Sequence, residues 1–196
     1  MNHADHVGLI RAGVEGAGAR WLELGAGEGA FTLALADVLG PAADITALDR
    51  DAAALRILSG QMTRRFPAAN LITRVGDFRD GLPDGPFDGV LAANSLHFVA
   101  DPLPVVTVAR EALQSGGRLI VVEYDADRGN PWVPYPFSFE TWQERSARAG
   151  FVGTRLIGRV PSRFLGAIYA AVSEAPTRTQ TATSGAAPLT APDEAT

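Results

Sequence analysis

Glu23-Leu24-Gly25-Ala26-Gly27-Glu28-Gly29-Ala30-Phe31 is the stretch that decides the fold. Immediately before it, Arg20-Trp21-Leu22-Glu23-Leu24 is short and mostly apolar, the pattern of a strand. After it, Ala30 to Leu39 sets apolar residues at helical spacing and stops at Gly40-Pro41. Glycines between a strand and a helix let the backbone turn tightly and let a ligand come close to it. Asp49 ends the next strand about twenty residues on, the spacing that brings a carboxylate to ribose hydroxyls. The stretch predicts a nucleotide-type ligand.

Working outward, the alternation continues. Val7, Ile10 and Val14 mark a short amphipathic helix over residues 3–15. Asp44 to Leu48 is a second strand, and Asp51 to Phe66 a second long helix with Asp51 as its N-cap and Pro67 as its stop. Arg64-Arg65 reads as its solvated end. Asn70 to Val75 and the continuously apolar Phe87 to Ala92 are the third and fourth strands. A helix begins at Asp101-Pro102, runs to Gln114 and ends at Gly116-Gly117. Arg118 to Glu123 is the fifth strand, and Ser138 to Ala149 a helix. Phe151 to Val160 and Phe164 to Ser173 are joined by only a turn at Pro161-Ser162. A parallel crossover needs about a dozen residues, so this last pair must be an antiparallel hairpin. The expectation is one doubly wound α/β domain over residues 1–173, with a seven-stranded, mostly parallel sheet. Residues 174–196 are rich in Ala, Thr, Ser and Pro and bury too little to offset ordering entropy, so they are expected to form a disordered tail.

Composition removes several chemistries. The chain has 196 residues, net charge −5 and no cysteine, and all 17 basic residues are arginine. Thiol nucleophiles, Cys-based zinc sites, Schiff bases and a Walker P-loop lysine are therefore absent, and no metal is expected. Acidity without a basic block argues against a nucleic-acid partner. No apolar run reaches the ~18 residues of a membrane span, and the N-terminus lacks a signal pattern, so cytoplasm is the default.

The glycines alone also fit a dinucleotide fingerprint, Gly25-x-Gly27-x-x-Ala30. Charge discriminates: a pyrophosphate over this loop would be repelled by Glu23 and Glu28, whereas S-adenosylmethionine has no phosphate and carries a sulfonium and an ammonium. Glu23-x-Gly25-x-Gly27-x-Gly29 resembles motif I of the class I, Rossmann-like, S-adenosylmethionine-dependent methyltransferases. The resemblance continues through Asp49, Gly76-Asp77-Phe78, Asn94-Ser95-Leu96-His97-Phe98 and Leu113-x-x-Gly116-Gly117-Arg118-Leu119, covering about residues 5–173. It implies S-adenosylmethionine as cofactor and methyl transfer as activity. Glu23, Gly25, Ala26, Gly27 and Gly29 would form the loop around its methionine part. Asp49 would accept the ribose hydroxyls and Arg50 would flank the adenine. Asp77 would accept the adenine amino group, Phe78 would lie against the ring, and Asn94 and Ser95 would meet the amino end. A nicotinamide-dependent oxidoreductase and a non-catalytic cofactor-binding module are the competing readings.

The acceptor is expected to be a small molecule. Its pocket should draw on the aromatic, proline-rich stretch after the fifth strand, with Tyr124, Trp132 and Tyr135 as candidate contacts. Asn130-Pro131-Trp132 only superficially matches the motif of amino-directed nucleic-acid methyltransferases, which belongs after the fourth strand. His97 is the candidate catalytic residue: it either packs the loop or accepts a proton from the acceptor. His6 lies on the first helix, which could fold over the cofactor.

Overall fold

The computed structural model describes residues 1–177. Seven strands form one sheet: β1 (Arg20–Leu24), β2 (Asp44–Asp49), β3 (Asn70–Val75), β4 (Phe87–Ala93), β5 (Leu113–Tyr124), β6 (Val152–Ser162) and β7 (Gly166–Glu174). Their order is β3-β2-β1-β4-β5-β7-β6. The first five are parallel, and β7 is antiparallel to both β5 and β6. The expected doubly wound sheet with a terminal antiparallel hairpin is what forms.

Side-chain alternation along the strands divides the core into two layers. Trp21, Ile45, Leu91 and Ile120 face α1 (His3–Val14), α2 (Ala30–Leu39) and α3 (Ala52–Arg65). Leu22, Leu48, Val90 and Val121 face α4 (Leu103–Ala112) and α5 (Phe139–Arg148). Helix starts follow the sequence signals: Asn2 and Asp5 form a capping box on α1, Asp51 accepts from the amides of Ala53 and Ala54, and Ser138 accepts from Thr141. No helix among the described residues is long and apolar enough to cross a membrane.

Three boundaries differ from expectation. The fourth helix stops at Ala112, because Leu113 is extended (φ −82°, ψ 147°) and pairs with Phe87 at the start of β5. The pairing is irregular between Phe87 and Gly89, and Gly116 takes a positive φ of 75° before regular pairing resumes at Arg118. The hairpin turn is also not at Pro161-Ser162. Those residues still pair with Ala167 and Gly166, and the chain reverses over residues 163–165. Proline is tolerated there because β6 is an edge strand. Finally, the sheet passes residue 173: Glu174 pairs with Arg118, and buried Ala175 donates its N–H to the Gly117 carbonyl at 2.8 Å. The rest of the expected tail, from residue 178, lies outside the described residues.

Candidate active site

In a parallel sheet, loops at the carboxyl ends of the strands surround a crevice where the strand order reverses. Here that point lies between β1 and β4. The loops after β1, β2, β3 and β4 enclose a cavity of about 360 Å³, a size suited to a small-molecule ligand. Gly25 and Gly27, Asp49 and Arg50, Asp77 and Phe78, and Asn94 and Ser95 line it, so the structure brings these sequence-predicted residues into one place.

The glycine loop is held from below. Gly25 and Ala26 both donate their amides to the Leu48 carbonyl, at 2.8 and 3.1 Å. Gly25 has φ +74°, and a Cβ there would sit 2.6 Å from Ser95 Cβ, so a side chain would displace the β4 loop. Gly29 has φ +93°, and its Cβ would meet Leu58 at 2.2 Å. Its role is helix packing, and neither Gly29 nor buried Ala26 is among the cavity's lining residues.

Asp49 ends β2 with one oxygen accepting from Gly27 N at 2.7 Å and the other from Asp51 N at 2.8 Å. Each oxygen keeps a further lone pair for a ligand hydroxyl. Asn94 adopts φ +51°, unusual for a residue with a side chain. Its Oδ1 and the Oγ of Ser95 are buried without a hydrogen-bond partner. Buried polar atoms are almost always paired, so Asn94 Oδ1 is suited to a ligand donor and the Ser95 hydroxyl to a ligand donor or acceptor. An ammonium-bearing, hydroxyl-bearing ligand such as S-adenosylmethionine fits the acceptors of this lining, Asp49, Asp77 and Asn94 Oδ1.

Glu23 departs from its expected role. It points from β1 toward α2, is 2% exposed, and bonds with Thr32 Oγ1. Loss of solvation pushes its carboxyl up to about 8, partly offset by the Thr32 bond. At neutral pH it is mostly uncharged, so it does not supply the repulsion toward pyrophosphate that the sequence assigned to it. Exposed Glu28, at the cavity, remains as that charge.

The loop after β4 forms a short 3₁₀ turn over Leu96–Phe98. His97 is buried there, with its Nδ1 2.7 Å from Glu123 Oε2. Glu123 is fully buried near the end of β5, and its other oxygen accepts from the amides of Leu96 and His97 at 3.1 and 3.2 Å. A carboxylate that accepts from both amides is arranged to accept from Nδ1–H as well. That fixes the tautomer and leaves Nε2 as the ring's acceptor. The His97 ring lies 4.2 Å from Phe98, which lines the cavity, and 5.7 Å from Tyr124. Half-buried Tyr124 has its phenol pushed up, by burial first and by Glu123 second.

Trp132 and Tyr135 are exposed and are not among the cavity-lining residues. Tyr135 N donates to the His97 carbonyl at 3.0 Å, tying their loop to the histidine. Trp132 meets Phe164 of the β6–β7 turn edge-on at 6.4 Å. His6 does not reach the cavity: its ring packs against Phe31 of α2.

Two side chains escaped the sequence reading. Arg79 lines the cavity and grips Asp77; only its position two residues after Asp77 hinted at this. Glu123 was readable as a carboxylate at a strand's carboxyl end, the usual site of ligand chemistry, but nothing local links it to His97.

Comparison with known proteins accounts for this geometry. The methyltransferase domain family matches residues 15–157, well over half of the chain. The chain belongs to that family. It is a class I, S-adenosylmethionine-dependent methyltransferase domain. A curated relative, the reducing polyketide synthase grgA of a Penicillium species, is 29% identical over 160 residues. The match covers 70% of this chain, which spans only 6% of that much longer protein. The solved structure of EvdMO1 is 27% identical with a TM-score of 0.65, covering 89% of this chain and 41% of that one. Its N-terminal domain, solved in the presence of SAH and D-fucose, is 25% identical with a TM-score of 0.66, covering 89% and 83%. YcgJ of Bacillus subtilis, 15% identical, shares the fold with a TM-score of 0.72 over 89% of this chain and 99% of that one.

Proposed function

We propose that this methyltransferase domain moves the methyl group of S-adenosylmethionine to a small-molecule acceptor whose proton is taken by His97. The observation that carries the reading is the buried His97–Glu123 pair, 2.7 Å apart, on the same loop as Asn94 and Ser95, whose unpartnered Oδ1 and Oγ line the cavity. Asp49 is suited to the ribose hydroxyls, Asn94 Oδ1 and Ser95 Oγ to the ammonium end, and Asp77, Phe78 and Arg50 to the base. The bound cofactor supplies an electrophilic methyl carbon on a sulfonium. The domain's own residues position the acceptor, exclude water and provide for its proton.

When the acceptor atom takes the methyl group, leaving the C–S bonding pair on sulfur as a neutral thioether, the acceptor's proton would go to His97 Nε2. The imidazolium so formed is stabilised through Nδ1–H by Glu123, the positioning carboxylate. His97 is not itself among the cavity-lining residues; it stands behind Phe98, which is, and the buried Glu123 holds its ring and the loop amides in place. Tyr124, whose ring lies 5.7 Å from that of His97, and exposed Trp132 and Tyr135 suit an acceptor with an apolar body. The EvdMO1 domain solved with D-fucose supports a small-molecule acceptor.

The test is a methyl-transfer screen over hydroxyl- and carbon-acid metabolites, with product mass measured, followed by His97→Ala on the best acceptor. Loss of turnover by roughly 10²–10⁴-fold with cofactor affinity intact is expected. A variant that keeps its rate would leave His97 a packing residue.

A further inference from the structure

We propose that Arg79 sets the cavity's selectivity for the base of its ligand by competing for Asp77. The proposal rests on the reading that Asp77 faces the 6-amino group of adenine. A carboxylate has about four acceptor positions. In this structure Arg79 brings three N–H groups to both oxygens: its amide reaches Asp77 Oδ1 at 2.9 Å, the single Nε–H is shared between Oδ1 and Oδ2 at 2.9 and 3.0 Å, and Nη2 reaches Oδ2 at 2.5 Å. Neither Asp77 oxygen is free of Arg79, so an incoming amino group must displace some of these contacts to be fully served, and both residues line the cavity.

The pair is placed to be exchanged. The Arg79 side chain is 52% exposed, so solvent screens the guanidinium's side of the pair, while its hydrogen bonds hold the 19% exposed Asp77 carboxyl down at about 2. An adenine amino group therefore binds by taking over acceptors that Arg79 gives up. A 6-oxo base presents an acceptor instead, and Arg79 is the donor within reach. Arg79 thus taxes the natural base and tolerates the deaminated one, narrowing a discrimination that Asp77 alone would make sharp.

The test is calorimetry on the full chain with S-adenosylhomocysteine and its 6-oxo counterpart S-inosylhomocysteine, using wild type and Arg79→Ala. The variant should bind the adenosyl ligand roughly two- to fivefold tighter, the worth of a screened ion pair, and the inosyl ligand no better or worse. In wild type, raising salt should tighten adenosyl binding by weakening the pair, and the variant should lose that response. If the variant binds the adenosyl ligand equally or less well and keeps the wild-type ratio between the two, the competition is refuted while the cofactor reading stands. If wild type binds neither ligand, the cofactor reading falls and this proposal with it.

Discussion

Replacing Glu123 with glutamine changes one group and reverses one hydrogen bond. In the wild type, Glu123 Oε1 accepts from the Leu96 and His97 amides and Oε2 faces His97 Nδ1 at 2.7 Å. The glutamine carbonyl can still serve the two amides, so the amide nitrogen must face Nδ1. That nitrogen only donates, so Nδ1 must become the acceptor and the ring proton must move to Nε2. Nε2 then cannot take a proton from the acceptor. The expected loss in kcat is roughly 10²–10⁴-fold, the scale of a lost general base. Because the pair is fully buried, losing the charge-assisted bond should also cost about 1–3 kcal/mol of stability. Affinity for S-adenosylhomocysteine should stay unchanged. The assay combines single-turnover methyl transfer, calorimetry, and nitrogen NMR of His97 to read the tautomer. His97→Ala should show a similar deficit, and the double variant should be no slower, because the two residues act as a unit. If NMR shows the tautomer reversed and kcat stays within a few-fold of wild type, His97 takes no proton and the reasoning fails.

Asp49→Ala removes an acceptor that already orders Gly27 and Asp51, and cofactor affinity should fall by about 2–3 kcal/mol by calorimetry. Trp132→Ala and Tyr135→Ala should raise the acceptor's KM and leave cofactor affinity alone; steady-state kinetics with unaltered KM in both would remove them from the acceptor path. Glu23→Gln tests the buried carboxyl. Its folded pKa, about 8, lies above the ordinary glutamate value, so the folded state holds the extra proton between the two. That stabilisation is complete below the ordinary value and is lost as pH rises through about 8. Denaturant unfolding of wild type should weaken by up to about 1.4 kcal/mol for each pH unit over that window. The glutamine variant should lack that pH dependence.

The sheet was largely legible from the chain because its signals are local. A strand, a glycine loop and a helix follow one another within residues 20–39, and Asp49 falls at the end of the next strand. The two closely spaced late strands could only be antiparallel, and β6 and β7 are. Where the reading slipped, a tertiary contact won over local pattern. Helical spacing carries through Leu113, but pairing with Phe87 draws that residue into β5. Pro161 looks like a turn and is instead an edge-strand residue opposite Ala167.

By itself the sequence determined the fold class, the family, and a nucleotide-type site built on the loops after the first four strands, because each depends on residues close together in the chain. Tertiary structure decided the charges and partners within that site. Glu23 is neutral because strand parity turns it inward onto Thr32, a fact of burial that no local pattern encodes. His97 and Glu123 stand 26 residues apart and meet because the turn after β4 lies beside the end of β5, its parallel neighbour. A side chain's chemistry is set by what packs against its face of the sheet, and only the folded register fixes that.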